Sequence, residues 1–230
     1  MWSRFFDLNA KRQHLLEKCP AGALHDFYSI PFVDRKAPVN NVPFVVLDFE
    51  TTGLAIMNDH VLSIGLIEIK NLGIKLESAW HDIIKTDRTL PEETTVIHQI
   101  TDDMLLQGLD VKDMLDRILS RLKGHVLIAH HAQIELGFLN RLCIDIYNTE
   151  FLVPAIDTQL LAQRQLKRDQ EIVQENSLRL FKLRERYKLP IYKAHNALSD
   201  AMSTAELFLA LLVDLYPGKN CLLKELAIKS

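Results

Sequence analysis

Two carboxylates stand one residue apart at the end of an apolar run, Asp48 and Glu50 in "VVLDFETTGL". Side chains on a strand alternate between faces, so residues two apart project from the same side. Like charges that close repel, unless one stays protonated or a cation sits between them. Hard divalent ions such as Mg²⁺ take carboxylate oxygens of this kind, with waters and substrate phosphate completing the shell. The alternative is a solvated strand end that turns at Thr51 and Thr52. Asp200 is a second candidate. It lies in "HNALSDAMSTAELFLALL", an otherwise apolar helix in which an unpaired charge is costly, and His195 stands at its start. The plain reading of Asp200 is a first-turn acid favoured by the helix dipole. Glu135 in "LIAHHAQIELGFLN" falls in the first turns of a helix after a buried strand, and the same two readings apply to it. His125, His130 and His131 suggest a zinc site, but a strand directs His130 and His131 to opposite sides.

These residues need a frame. "FVVLDF" reads as a strand buried on both faces. "HVLSIGLIEIK" and "IKLESAWHDIIK" are two more strands, joined by the hairpin signal "NLG". "HVLIAH" and "FLVPAIDT" supply a fourth and a fifth. Helices are expected in "DDMLLQG", capped by Thr101, and in "VKDMLDRILSRL", where Val111, Leu115, Ile118 and Leu122 share a face. Others are "AQIELGFLNRLCIDIY", "QLLAQRQLKR", "SLRLFKLRERYK" opened by Ser177, and a long last helix ended by Pro217 and Gly218. The order predicts an α/β fold, an antiparallel meander followed by strands alternating with helices. Residues 1–43 read as an N-terminal extension, residues 44–216 as the main domain and residues 217–230 as a short tail. The extension would hold a short helix capped by Asp7 or Asn9, then an extended connector punctuated by Pro20, Pro31, Pro38 and Pro43.

Composition sets outer bounds. At 48% hydrophobic and 25% charged, the 230 residues are neither a disordered chain nor a membrane bundle. A net charge of −3 argues against a protein that coats nucleic acid, but not against an enzyme with positive charge around one groove. Cys19, Cys143 and Cys221 form no C-x-x-C pair, which predicts reduced thiols in a cytoplasmic protein. The start lacks the apolar core of a signal peptide, and no apolar run reaches the roughly 20 residues of a membrane span. The segment from Gln163 to Lys188 is rich in Arg and Lys. It reads either as a phosphate-contacting surface or as a solvated helix face with interleaved glutamates.

Five blocks occur in order: D-x-E-T-T-G at Asp48–Gly53, "VIHQIT" at Val96–Thr101, "AHHAQIELGFL" at Ala129–Leu139, "IDTQLLA" at Ile156–Ala162 and H-x-x-x-x-D at His195–Asp200. Together they resemble the DEDD exonucleases of the histidine subtype, in particular the exonuclease core of the epsilon proofreading subunits of bacterial DNA polymerase III, over Phe44 to Tyr216. Asn196, and not tyrosine, stands four residues before Asp200, as the histidine subtype requires. The resemblance implies a ribonuclease-H-like mixed five-stranded sheet flanked by helices. It implies hydrolysis of single-stranded DNA from the 3′ end with two divalent cations, Mg²⁺ or Mn²⁺, releasing nucleoside monophosphates. By the same resemblance Asp48 bridges both ions, Glu50 and Asp200 hold the nucleophile-side ion, and His195 takes the proton of the attacking water. Glu135 occupies the place of the third acid, where the family has aspartate, and His131 stands where the family has asparagine. Thr51, Thr52, Gly53 and Leu54 match the turn that grips the terminal nucleotide. Glu93 and His98 match the loop that meets the terminal sugar and leaving phosphate. Two alternatives stay open: an exoribonuclease that trims RNA 3′ ends, and a weakly active 3′-end-binding module, given Glu135. The short tail leads us to expect a free-standing nuclease and not a stable polymerase subunit; a homodimer is left open.

Overall fold

The computed structural model describes residues 8–86, 100–192, 195–226 and 228–229. Its centre is β1 (Phe44–Thr51), whose first four residues are fully buried. β2 (Val61–Lys70) pairs antiparallel with it, and β3 (Gly73–Ile83) pairs antiparallel with β2. The β2–β3 turn is the two-residue type read from "NLG", with Asn71 and Leu72 both at positive φ. On the other side of β1, β4 (Val126–Ala129) and β5 (Ala155–Asp157) run parallel. The five expected strands are present, with β5 shorter than "FLVPAIDT" because the ladder with β4 begins only after Pro154. A two-residue strand, β6 (Ile228–Lys229), adds to the edge, giving the order β3-β2-β1-β4-β5-β6.

Alternation along β1 divides the core. Val45, Leu47 and Phe49 pack into one cluster with α4 (Val111–Leu122) and α5 (Gln133–Tyr147). Phe44 and Val46 pack into the other, with α6 (Thr158–Arg168) and the last helix, α8 (Ala197–Leu215). Period two therefore puts Asp48 and Glu50 on the α8 face before any detail of the site is considered. The α4 face is as expected: Leu115, Ile118 and Leu122 are buried, Val111 partly so.

Three local expectations are corrected. The extended connector is helical in part: after α1 (Leu8–Lys18) comes α2 (Ala23–Ser29), which buries Leu24, Phe27 and Tyr28 in the first cluster. The Tyr28 hydroxyl donates to Glu150 O (2.7 Å) and accepts from Leu152 N (2.8 Å), fixing α2 to the segment before β5. Asn9 does not cap α1 but lies within it, its amide pairing both ways with the Phe32 backbone (2.9 and 3.2 Å); Asp7 lies outside the described residues. Ser177 does not open a helix; it sits in a 3-10 turn, Glu175–Leu178, ahead of α7 (Leu180–Arg186). The short helix α3 (Asp102–Leu106) does follow Thr101, although the Thr101 side chain makes no capping bond. Near the other end, Cys221, Leu223 and Leu226 bury in the second cluster, and Leu223 N donates to Ala37 O (3.0 Å), so segments from both ends of the chain pack together.

Candidate active site

Asp48 lies opposite Gly65 in the β1–β2 register. A Cβ at Gly65 would lie 2.1 Å from the Ala197 backbone, so the bare glycine lets the first turn of α8 rest directly on the sheet. Asn196 caps that helix, its side chain accepting from Ser199 N (3.1 Å). The consequence is long-range: Asp200, 150 residues beyond Glu50 in sequence, joins Asp48 and Glu50 with carboxylate oxygens within 4.8 Å of one another. His195 is exposed at the mouth, held at φ 64°, and its backbone N–H donates to Asp200 Oδ2 (3.0 Å).

Electrostatics match this crowding. Burial, followed by the charges of Glu135, Asp200 and Glu50, pushes Asp48 well above the usual carboxylate range. Burial and then the Glu50 charge push Asp200 up to about 6, opposed by the His195 N–H. Three hard oxygen donors crowded this closely suit a divalent cation, which would relieve the repulsion.

Glu135 stands outside that triplet. It lies in the first turn of α5, only 4% exposed, and one of its oxygens has no hydrogen-bond partner among the described residues. Burial, with the nearby charge of Asp157, raises it to about 8. Asp157 itself caps α6, accepting from Gln159 N (3.0 Å) and His131 N (3.1 Å). The three histidines build no zinc site among the described residues. His130 bonds Thr158 Oγ1 and Leu178 O through its two ring nitrogens (both 2.9 Å), and burial lowers it to about 4, so it stays neutral. His125 bonds Lys123 O, and His131 is exposed.

The turn after β1 begins at a register shift between Glu50 and Thr51, a device that ends pairing beside many active sites. The Thr51 hydroxyl donates to Gly53 O (2.8 Å); the Thr52 hydroxyl donates to Asp59 Oδ1 (2.9 Å) and accepts from His60 N (3.0 Å). Both hydroxyls therefore shape the turn. A Cβ at Gly53 would fall 2.5 Å from Asp59 Oδ2, which itself accepts from Ala55 N (2.7 Å). Leu54 stays 70% exposed. Arg141 secures the far side of the loop, its guanidinium donating to Ile56 O and to Asp59 O (2.7 Å). Glu93 and His98 lie outside the described residues. Sequence reasoning missed Asp59, Arg141 and Gly65. Only Gly65 carried a signal, as a lone glycine inside an apolar strand.

The Exonuclease (RNase_T) family model matches residues 45–208, which contain Asp48, Glu50, Glu135, His195 and Asp200. PolC-type DNA polymerase III of Thermotoga petrophila is 33% identical over 169 residues, 74% of this chain but only 12% of that protein's length. DNA polymerase III subunit epsilon of Treponema pallidum is 30% identical over 168 residues, covering 73% of this chain and 75% of the relative. Among solved structures, the nuclease domain of 3'hExo, a DEDDh family member bound to rAMP, superposes with TM-score 0.67 at 15% identity, covering 84% of this chain and 99% of that one. E. coli Exonuclease I in complex with a dA16 oligonucleotide superposes with TM-score 0.60 at 15% identity, covering 75% and 41%. At such low identity these two likenesses speak for the ribonuclease-H-like fold alone. The family match over most of the chain, joined to an epsilon relative aligned along most of its own length, places this chain in the exonuclease family.

Proposed function

We propose that the chain is a divalent-metal-dependent 3′–5′ exonuclease that releases nucleoside 5′-monophosphates from single-stranded DNA ends. The observation that carries this reading is the convergence of Asp48, Glu50 and Asp200 on one open cavity. These three would hold Mg²⁺ or Mn²⁺, two ions in all, with Glu135 as the fourth acid. The ions would neutralise charge on the entering and leaving oxygens and acidify the attacking water. His195, at the mouth, takes the proton of that water as its oxygen bonds to phosphorus. The bond from phosphorus to the 3′ oxygen of the preceding nucleotide breaks, and that oxygen leaves with the bonding electron pair and takes a proton from solvent water. An imidazole can exchange a proton near neutral pH, and such a base contributes ~10²–10⁴-fold. The turn at Thr51–Leu54 would seat the terminal nucleotide, with Leu54 against its base. Glu93 and His98 would complete the contacts to sugar and phosphate.

The epsilon relative and the DNA-bound Exonuclease I support a single-stranded DNA substrate. The rAMP held by 3'hExo favours a second reading, exoribonuclease action. Action in the cytoplasm is our reading of its setting, which the three free and buried cysteines support; no helix of the described residues is long and apolar enough to cross a membrane. The test uses 5′-labelled single-stranded DNA and RNA with Mg²⁺, Mn²⁺ or EDTA. A one-nucleotide ladder from the 3′ end of DNA, abolished by EDTA, is the expected result. A ladder on RNA alone would select the second reading, and no ladder on either would leave a binding module.

A further inference from the structure

The cavity that contains Asp48, Glu50 and Asp200 extends beyond them. Its volume is about 580 Å³, within the range of pockets that enclose sizeable ligands. The remaining wall comes from the start of α7 and from Pro190, Ile191 and Tyr192. Three large apolar side chains on that wall face water: Phe181 is 56% exposed, Ile191 96% and Tyr192 39%. A patch of this kind beside a catalytic cavity marks a ligand surface more often than a folding requirement.

The wall also sorts the basic segment read from the sequence. Arg164 donates to Glu225 O (2.5 Å), Arg168 faces Asp214 (3.6 Å), and Arg186 pairs with Glu171 (2.6 Å). Arg184 is buried against Glu206 (2.7 Å), its guanidinium 4.9 Å from the Tyr192 ring centre, while the Tyr192 hydroxyl donates to Glu206 (2.8 Å). These cations are occupied in holding the scaffold, and Tyr192 is a fixed platform. Arg179 and Lys182 differ. Both are exposed on the cavity wall. Among the described residues the Arg179 guanidinium makes no hydrogen bond or ion pair. Lys182 pairs with exposed Glu185 (2.9 Å), a contact worth little in water.

A single nucleic-acid strand presents two repeating features, an anionic phosphate and an aromatic base. Proteins that hold such strands without reading sequence pair cations with aromatic platforms. We propose that Phe181, Tyr192, Arg179 and Lys182 form a subsite for a nucleotide upstream of the scissile phosphate. Phe181 stacks on its base, and Arg179 and Lys182 meet its phosphate. The proposal rests on the exonuclease reading and adds to it a platform that engages only substrates longer than one nucleotide.

The discriminating experiment compares an octanucleotide of single-stranded DNA with the p-nitrophenyl ester of thymidine 5′-monophosphate, which offers a cleavable phosphate and no upstream nucleotide. Phe181→Ala should lower kcat/KM on the octanucleotide about tenfold, mainly through KM, as expected for the loss of one base stack. It should leave ester hydrolysis unchanged, and Phe181→Trp should restore the octanucleotide rate. Arg179→Ala should reduce the salt dependence of log kcat/KM by about 0.7, the value for one phosphate contact on a single strand. If the wild type cleaves both substrates and Phe181→Ala matches it on the octanucleotide, the subsite is wrong and the exonuclease reading stands. An equal loss on both substrates would also overturn it. A wild type that cleaves neither with Mg²⁺ or Mn²⁺ removes both proposals.

Discussion

Two acidic corners of this molecule can be compared directly. Asp48, Glu50 and Asp200 gather within 4.8 Å on the wall of an open cavity, where water, an ion or a phosphate can reach them. Glu135, on a helix packed against the opposite face of the sheet, is shut in, with one oxygen unpaired among the described residues and a pKa raised to about 8 by burial. In the first corner the proton affinities of Asp48 and Asp200 rise through burial and through neighbouring carboxylates, Glu135 among those acting on Asp48, and a cation can cancel that repulsion. In the second it rises chiefly through lost hydration, which only an incoming ion or a proton can replace. A carboxylate's place in a motif thus does not set its charge; its access to water and to other carboxylates does.

The sharpest way to break the comparison is to neutralise one acid in each corner. Asp48→Asn should cost ~10³-fold or more in kcat, because under the proposed function it removes a carboxylate that would hold the cations. Gly65→Ala should follow, at about 10²-fold, through displacement of α8 and with it Asp200; circular dichroism that matches the wild type would show that the loss is positional. Glu135→Gln should cost roughly 10-fold, most of it recovered by raising Mg²⁺, as for a supporting ligand. If Glu135→Gln is as damaging as Asp48→Asn, the two corners are equal partners and the contrast fails. The smallest effect sharpens the contrast through pH. Glu135 moves from 4.5 in an unfolded chain to about 8 in the fold, and Asp200 from 3.8 to about 6. The folded state binds the extra protons, so this contribution is full below about pH 4 and is lost as pH rises to 8. Metal-free protein should therefore lose on the order of 1–3 kcal/mol between pH 5 and 8 in urea unfolding. Saturating Mg²⁺ should flatten the slope, and Glu135→Gln should remove its upper part.

Much of the frame was legible because its signals are local. The apolar run of β1, the "NLG" turn and the spaced leucines of α4 each act within a few residues, and each element formed where expected. What was illegible depends on distant partners. "ALHDFYS" follows a proline and a glycine and reads as connector, yet it is a helix, because Phe27 and Tyr28 find a core to enter and Tyr28 finds the Glu150 and Leu152 backbone. The turn at Thr51–Leu54 likewise depends on Asp59, which takes the Thr52 hydroxyl from seven residues away and which no local signal announces.

The sequence by itself determined that Asp48 and Glu50 share a face, since strand alternation needs no knowledge of neighbours, and it determined that Asp200 stands in the early turns of a helix, since the apolar stretch that follows His195 reads as one locally. Only the tertiary structure decided that these two statements concern one place. That decision rests on close packing: a strand without a side chain at Gly65 admits the backbone of Ala197, and the approach this allows sets the separation of the carboxylates. It also decided that Glu135 would be buried and the wall around Phe181 exposed, because solvent access belongs to the assembled surface and not to any stretch of chain.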